Sequence, residues 1–334
     1  IYSIAKSLNI TTSQAGFAVV IAQIGYGLGL MLLVPLGDLL NKRKLIVSLM
    51  VFAGISQILL SFSTTLSTLY LFTLCATFGA ISAQVLIPFA SSISPPESSA
   101  AIVGKLMSGL VMGIILSRTF AGFVSNYWSW EGVYLSSGVI TLLFATLMWR
   151  KLPNTQPQSD LNIVSIYQSL FQIARNNPHL IRRACAGALG FGILSMVFTS
   201  MTFALGSAPY FFNDFEIGLF GLLGVIGIYS SSWSGKTVGL GKENLVAKLC
   251  ISLMLFSCVP LFFAQQNIWI YAIGVLMSYF GLTAFHVLNQ NLVYRIDAKA
   301  RSRINAVYMT IYFSGAALGS LGAVYAWEHW QWQG

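Results

Sequence analysis

Arg118 is the sharpest chemical signal in this sequence, a single cation well inside the long apolar stretch SGLVMGIILSRTFAG. A guanidinium in such surroundings holds an anionic solute or a carboxylate, or else snorkels toward the nearer surface. A second group falls in FHVLNQN, where His286, Asn289, Gln290 and Asn291 follow one another, and Gln84 stands in a comparable earlier stretch. Amides and one imidazole can hydrogen-bond a polar solute from a cavity wall, or tie helices together. His286 is the visible group inside an apolar run that titrates near neutrality, which makes it either a proton carrier or a structural histidine. No Asp or Glu lies well inside a run; Glu131 and Glu216 stand at run ends. SSSWSGKT ends like a phosphate-binding loop, but Ser230 occupies the place of the required glycine and no strand precedes it. ATP hydrolysis, and enzymatic chemistry generally, is not supported.

The elements that must carry these groups follow from composition. Charged residues make up 8% of the 334, hydrophobic residues 56%, and the mean hydropathy is +0.75. A soluble domain has about 25% charged residues, so the chain reads as an all-α polytopic membrane protein. Cys75, Cys185, Cys250 and Cys258 fall in apolar runs and read as small buried hydrophobes; no spacing suggests a disulfide, a metal site or a cofactor. The chain opens on Ile1 and reads as carrying no signal peptide. Spans of about 20 apolar residues are expected at 14–36, 45–63, 68–94, 100–125, 131–149, 182–205, 216–234, 244–264, 268–293 and 302–327, ten in all.

The net charge of +9 is explained by topology, not nucleic acid. One set of alternate loops, with adjoining span ends, holds Lys42, Arg43 and Lys44; Lys105; Arg150, Lys151, Arg175, Arg182 and Arg183; Lys236, Lys242 and Lys248; and Arg295, Lys299, Arg301 and Arg303. Only Lys6 and Arg118 lie elsewhere. The positive-inside rule makes the rich set cytoplasmic, covering loops 37–44, 150–181, 235–243 and 294–303, and puts residues 1 and 334 outside. Arg118 then lies about 8 residues, roughly 12 Å, from the outer end of its span. In the long connection, Leu161, Val164, Tyr167, Leu170 and Phe171 recur near helical spacing, which predicts an amphipathic helix on the cytoplasmic membrane surface, with a plain linker as the alternative.

The two halves repeat at an offset near 202: FGAISAQVLIP (78–88) matches FGLTAFHVLNQ (280–290), Gln84 aligns with His286, Gly113 with Gly315, and WSW at 128–130 with WQW at 330–332. Parallel repeats of this size suggest two similar bundles, 1–150 and 182–334, joined by the segment 151–181.

With VPLGDLLNKRK at 34–44, the residues resemble the major facilitator superfamily, whose turn between its second and third helices reads G-x-L-A-D-R-x-G-R-R. Asp38, Lys42 and Arg43 match; Val34 and Leu39 depart, and Asn41 replaces the second Gly, tolerating the left-handed backbone a Gly would supply. SGLVMGIILSRTFAG and NQNLVYRIDAKARSRINAVYMTIYF are similar to a bacterial branch of exporters. The family builds each half from about six spans, so this chain reads as lacking the family's first and last helices, with a true ten-span protein as the alternative. Its glycines concentrate in the family's helices 2, 5, 8 and 11, among them Gly16, Gly25, Gly27, Gly29, Gly109, Gly113, Gly224, Gly227, Gly315 and Gly319, as a seam between the halves would require, with generic helix packing as the alternative.

The resemblance implies a fold of two pseudo-symmetric helix bundles and a secondary active transporter working by alternating access in the bacterial inner membrane, as a monomer. Its implied function is proton-coupled export of a small molecule; an uptake permease or a non-transporting sensor or scaffold are the alternatives. It implies a substrate cavity at Gln84, Arg118, His286, Asn289 and Gln290, and a cytoplasmic gate of Asp38 with Lys42, Arg43, Arg301 and Arg303. The absence of a Gly-Pro step in the family's fifth helix departs from many antiporters.

Overall fold

A computed structural model describes residues 2–93, 96–154, 162–237, 241–264, 267–293, 295–296 and 301–334, with side chains except at positions 2, 38, 88, 91–92, 96–105, 107–108, 111, 115, 118, 214, 236 and 301–302. Of the sequence expectations, the side chains of Asp38, Lys105, Arg118, Lys236 and Arg301, and residues Leu161 and Lys299, lie outside the described residues.

The described residues form α1 (Tyr2–Leu8), α2 (Thr12–Leu32), a 3-10 turn (Pro35–Asp38), α3 (Lys42–Ser61), α4 (Leu66–Gly79), α5 (Ser82–Ile93), α6 (Pro96–Tyr127) and α7 (Trp130–Lys151), then α8 (Ile163–Asn176). The second half holds α9 (Pro178–Leu205), α10 (Asp214–Leu219), a 3-10 stretch (Phe220–Val225), α11 (Ile226–Thr237), α12 (Glu243–Phe256), α13 (Cys258–Phe262), α14 (Ile268–Val293) and α15 (Arg301–Trp330). Among the described residues nine stretches are long and apolar enough to cross a membrane. The tenth expected span lies in α6, whose 32 residues reach about 48 Å at the helical rise.

Helix starts follow local chemistry. Thr11 and Gln14 cap α2 reciprocally, the Thr11 hydroxyl accepting from the Gln14 N–H at 3.1 Å and the Gln14 carboxamide from the Thr11 N–H at 3.0 Å. Asn41 does not adopt the left-handed backbone expected of it. Its φ of −58° and ψ of 113° place it as the N-cap of α3, its side chain accepting from the Lys44 N–H.

The repeat is visible in the helix starts, since Thr12, Leu66 and their counterparts Asp214, Ile268 are each separated by the same 202 residues. It is visible in packing too. A Cβ on Gly79 would lie 3.0 Å from the Leu49 carbonyl oxygen, and one on Gly281 would lie 2.9 Å from that of Cys250. The copies differ in their breaks: the first is interrupted at Ala80 and Ile81, between α4 and α5, where α14 runs on; the second has a 3-10 stretch between α10 and α11, where α2 is regular.

The glycines mostly close helices within a half, not across the seam. Gly315 and Gly319 of α15 meet the Ala188 and Gly192 backbone of α9. Gly25 and Gly29 of α2 meet the backbone of α4, and Gly224 and Gly227 meet Tyr279 of α14. Across the seam stand Gly16, where a Cβ would come 2.6 Å from the Phe203 ring, and Gly27, 3.7 Å from Phe313. In lipid, apolar side chains gain nothing by leaving one hydrocarbon surface for another, so backbone approach carries the packing inside each bundle. For the same reason Cys185 and Cys258 are exposed on the outside of the bundle, against the expectation of burial, while Cys250 is buried.

On the basic face α8 is docked against both halves. Asn162 caps it, accepting from the Ser165 N–H at 2.7 Å. Ile166 and Leu170 are buried, and Leu170 lies in one apolar cluster with Val34, Val85 and Phe89 of the first half and Leu180, Val293 and Ile304 of the second. The Tyr167 hydroxyl donates to the Leu32 carbonyl in the last turn of α2, one of the groups a helix end leaves free. Burial raises the Tyr167 pKa above its ordinary value, which keeps it a donor. Arg303, in the first turn of α15, donates to the Ser169 hydroxyl at 3.0 Å. Val164 and Phe171 share the outward edge and are exposed at 62% and 69%, as a helix lying on a membrane surface requires.

Paired substitutions test the close packing. Gly319→Ala forces α15 away from α9 and should lower the melting temperature in detergent by several degrees, about 1–3 kcal/mol. Gly113→Ala, where a Cβ would meet nothing within 4 Å, should melt within about a degree of the parent, or slightly higher. Equal losses at both positions would remove the backbone contact as the cause.

Candidate functional site

Gln84 and His286, the residues aligned by the repeat, stand at the two ends of one row of rings. Gln84 lies in α5, just past the break at Ala80 and Ile81, and its Nε2 donates to the Tyr26 hydroxyl of α2 at 3.3 Å. The Tyr26 ring meets Phe313 of α15 at 4.4 Å between centroids, the one step of the row that crosses from half to half. Phe313 meets Phe191 of α9 at 5.2 Å edge-on, Phe191 stacks on Tyr312 at 4.4 Å, and Tyr312 meets the His286 imidazole at 4.5 Å. His286 Nδ1 lies 3.3 Å from the Tyr308 hydroxyl. Each pair contributes about 0.5–1.5 kcal/mol beyond its buried area. Tyr26, Gln84, Phe191, His286 and Phe313 are half-buried, although all sit well inside their helices.

The other predicted residues are placed differently. Asn289 is fully buried. It accepts from Arg183 Nη1 at 3.1 Å and donates to the Arg183 carbonyl at 3.4 Å, which ties α14 to α9 near the basic face. That is the helix-tying alternative, and it leaves Asn289 little capacity for a solute. Gln290 is half-buried and makes no hydrogen bond among the described residues; Asn291 is exposed and donates to the Val287 carbonyl at 2.9 Å. Of the residues expected at the gate, Arg43 lies 4.5 Å above the Trp149 ring of its own half, and Lys42 lies 5.9 Å from the centroid of Phe89. Arg303 meets Ser169 of α8, a partner the sequence did not suggest. The 3-10 turn Pro35–Asp38 lies against α15 and α8.

A cavity of about 240 Å³ lies between the halves toward the face opposite the basic one. It is walled by Ser125, Trp130 and Tyr134 on one side and Phe198, Met201 and Thr202 on the other. On the basic side the two halves share one apolar core with α8. Tyr26, Phe191, Tyr312, Phe313 and Arg183 are the contributors that sequence reasoning missed; the only local trace was the aromatic spacing of Tyr308, Tyr312 and Phe313 on one helix.

The model of the Major Facilitator Superfamily matches residues 1–320. The Uncharacterized transporter YgaY of Escherichia coli O157:H7 is 36% identical over 332 residues, covering 99% of this chain and 84% of that protein. Among solved structures, the nucleoside transporter NupG superposes with a TM-score of 0.74 at 12% identity, covering 99% of this chain and 88% of that one. The human organic anion transporter MFSD10 superposes with a TM-score of 0.72 at 13% identity, covering 96% and 79%.

The Arg183–Asn289 pair yields a cycle. Asn289→Leu and Arg183→Leu should each cost about 1–3 kcal/mol, because each strands a buried polar partner. The double variant should cost less than the two together by more than about 0.5 kcal/mol. Chemical denaturation in mild detergent reads all three; strict additivity would dissolve the pair.

Proposed function

Because this chain belongs to the Major Facilitator Superfamily, we propose that it is a secondary active transporter working by alternating access, exporting a small molecule in exchange for protons. The observation that carries this reading is the row of rings between Gln84 and His286, repeat-related residues whose connection crosses the seam at Tyr26 and Phe313. A site divided between two similar bundles faces one side of the membrane or the other as the bundles rock. The nucleoside and organic anion transporters among the similar structures support a small organic solute as cargo. The seam lies within one chain, which supports a working monomer.

The basic face is cytoplasmic on the positive-inside rule, and the bacterial relatives support the inner membrane. Closure there rests on α8 and, with Arg301 and Arg303, on Asp38 docking at the start of α15, where a helix N-terminus favours a carboxylate. Lys42 and Arg43 serve orientation at the same turn. His286 is the proton carrier, since its imidazole is the titratable ring well inside a span and touches Tyr308 and Tyr312. The rings that fill the centre favour a second reading, a membrane-embedded sensor or scaffold that keeps the fold without moving a solute.

Orientation is read by an impermeant thiol reagent on intact cells, in a background without native cysteines. Thr65→Cys and Trp128→Cys should react from outside and Asn41→Cys should not; outside labelling at Asn41 inverts the topology. Coupling is read in proteoliposomes loaded with the pH dye pyranine and presented with a panel of organic solutes under an imposed pH gradient. At least one solute should move protons in the parent, and His286→Gln should bind it while losing the proton movement. A response unchanged in His286→Gln moves coupling elsewhere, and silence across the panel with a rigid seam supports the sensor.

A further inference from the structure

The row of rings carries two polar atoms without partners among the described residues, one from each half. Gln84 spends its Nε2 on Tyr26, and its Oε1 accepts no hydrogen bond among the described residues. His286 has Nδ1 against Tyr308, and its Nε2 meets no partner among them. Between these atoms lie the faces of Tyr26, Phe313, Phe191 and Tyr312. Five residues along this line, Tyr26, Gln84, Phe191, His286 and Phe313, are half-buried, so the row is not a fully sealed core. The row from Gln84 to His286 contains no carboxylate, guanidinium or ammonium.

We propose that this site takes an uncharged, planar aromatic solute that carries hydrogen-bonding groups on more than one edge. The proposal rests on the reading of the chain as a transporter whose solute site lies at the seam. Tyr26 and Phe313 are in ring contact at 4.4 Å, so no solute sits between them while they touch. They belong to opposite halves, and rocking of the halves separates them. Separation by the thickness of one ring, about 3.5 Å of carbon–carbon contact, makes a slot with two aromatic walls. A flat ring entering that slot restores on both faces the stacking that opening removes. A saturated, puckered solute meets both walls imperfectly, and an ion finds no counter-charge among the residues of the row to offset its lost hydration. Gln84 Oε1 selects a donor at one edge. His286 Nε2 accepts or donates at the other, according to its tautomer.

Riboflavin is a suitable probe: its tricyclic ring is uncharged, carries an imide edge, and loses fluorescence when stacked on tyrosine. Titrated into the full chain in nanodiscs, it should show saturable quenching. Lumichrome, the ring alone, should compete, and ribitol should not. Tyr26→Leu and Phe313→Leu should each weaken binding at least tenfold. Tyr26→Phe, which keeps the ring and the fold, should bind within about twofold of the parent. Gln84→Leu should weaken binding about tenfold while leaving the quenching at saturation unchanged. Competition by ribitol, or stronger competition by the anion pyrenesulfonate or the cation ethidium than by lumichrome, overturns the assignment. Thiol accessibility at Tyr26→Cys, measured with and without a pH gradient, separates the two levels. A protein that alternates but leaves riboflavin unquenched loses the aromatic class and keeps the transport reading; one that neither alternates nor binds loses both.

Discussion

Everything at the centre of this molecule depends on α15 and α9 touching backbone to backbone. At Ala188, Gly192, Gly315 and Gly319 the two helices meet backbone to backbone. A soluble bundle would hold them together by expelling water from larger side chains, but a bilayer offers no such drive, and proximity itself has to supply the attraction. The consequence reaches past the second half. With one face of α15 fixed on α9, its other face is presented to α2 from Phe313 beside Gly27 to Val324 beside Gly16. Tyr308, Tyr312 and Phe313 extend the same contact, Tyr308 and Tyr312 lying against Gly187 and Tyr312 and Phe313 against Phe191 of α9.

The spans were legible because the bilayer imposes a length and a composition, and the loops because cations sort by side. The amphipathic segment was legible from its spacing, and the helix starts bear out the repeat at its stated offset. What remained hidden was contact between distant residues. Nothing local in Tyr26 announces Phe313, and nothing in Asn289 announces Arg183, since each pair is joined only by the way helices cross. The glycines misled for a related reason: their number signalled close approach, but the direction each one faces depends on helix rotation. Asn41 misled because a polar residue in a turn has two uses, as a left-handed link and as a cap, and only φ distinguishes them.

The polar groups divide by role according to whether their bonding capacity is spent. Asn289 and Arg183 are satisfied by each other and buried, which suits residues that hold a bundle in one piece. Gln84 and His286 are partly satisfied and half-buried, which suits residues that meet something transient. Arg303 lies between these cases, since a hydroxyl on α8 is an exchangeable partner on a surface helix.

The mismatch between the two interrupted helices has a mechanical consequence. A 3-10 stretch holds its turns by poorer hydrogen bonds than an α-helix does, and a break surrenders several of them. In the first half that softness lies three residues before Gln84, in the row of rings itself; in the second it lies in Phe220–Val225, packed against α14, one helix removed from the row. The bundles share a plan and differ in compliance. Under the same load the helix bearing Gln84 yields at its own break, whereas the helix bearing His286 is continuous and yields through its neighbour, so one rocking motion strains the two bundles at different places.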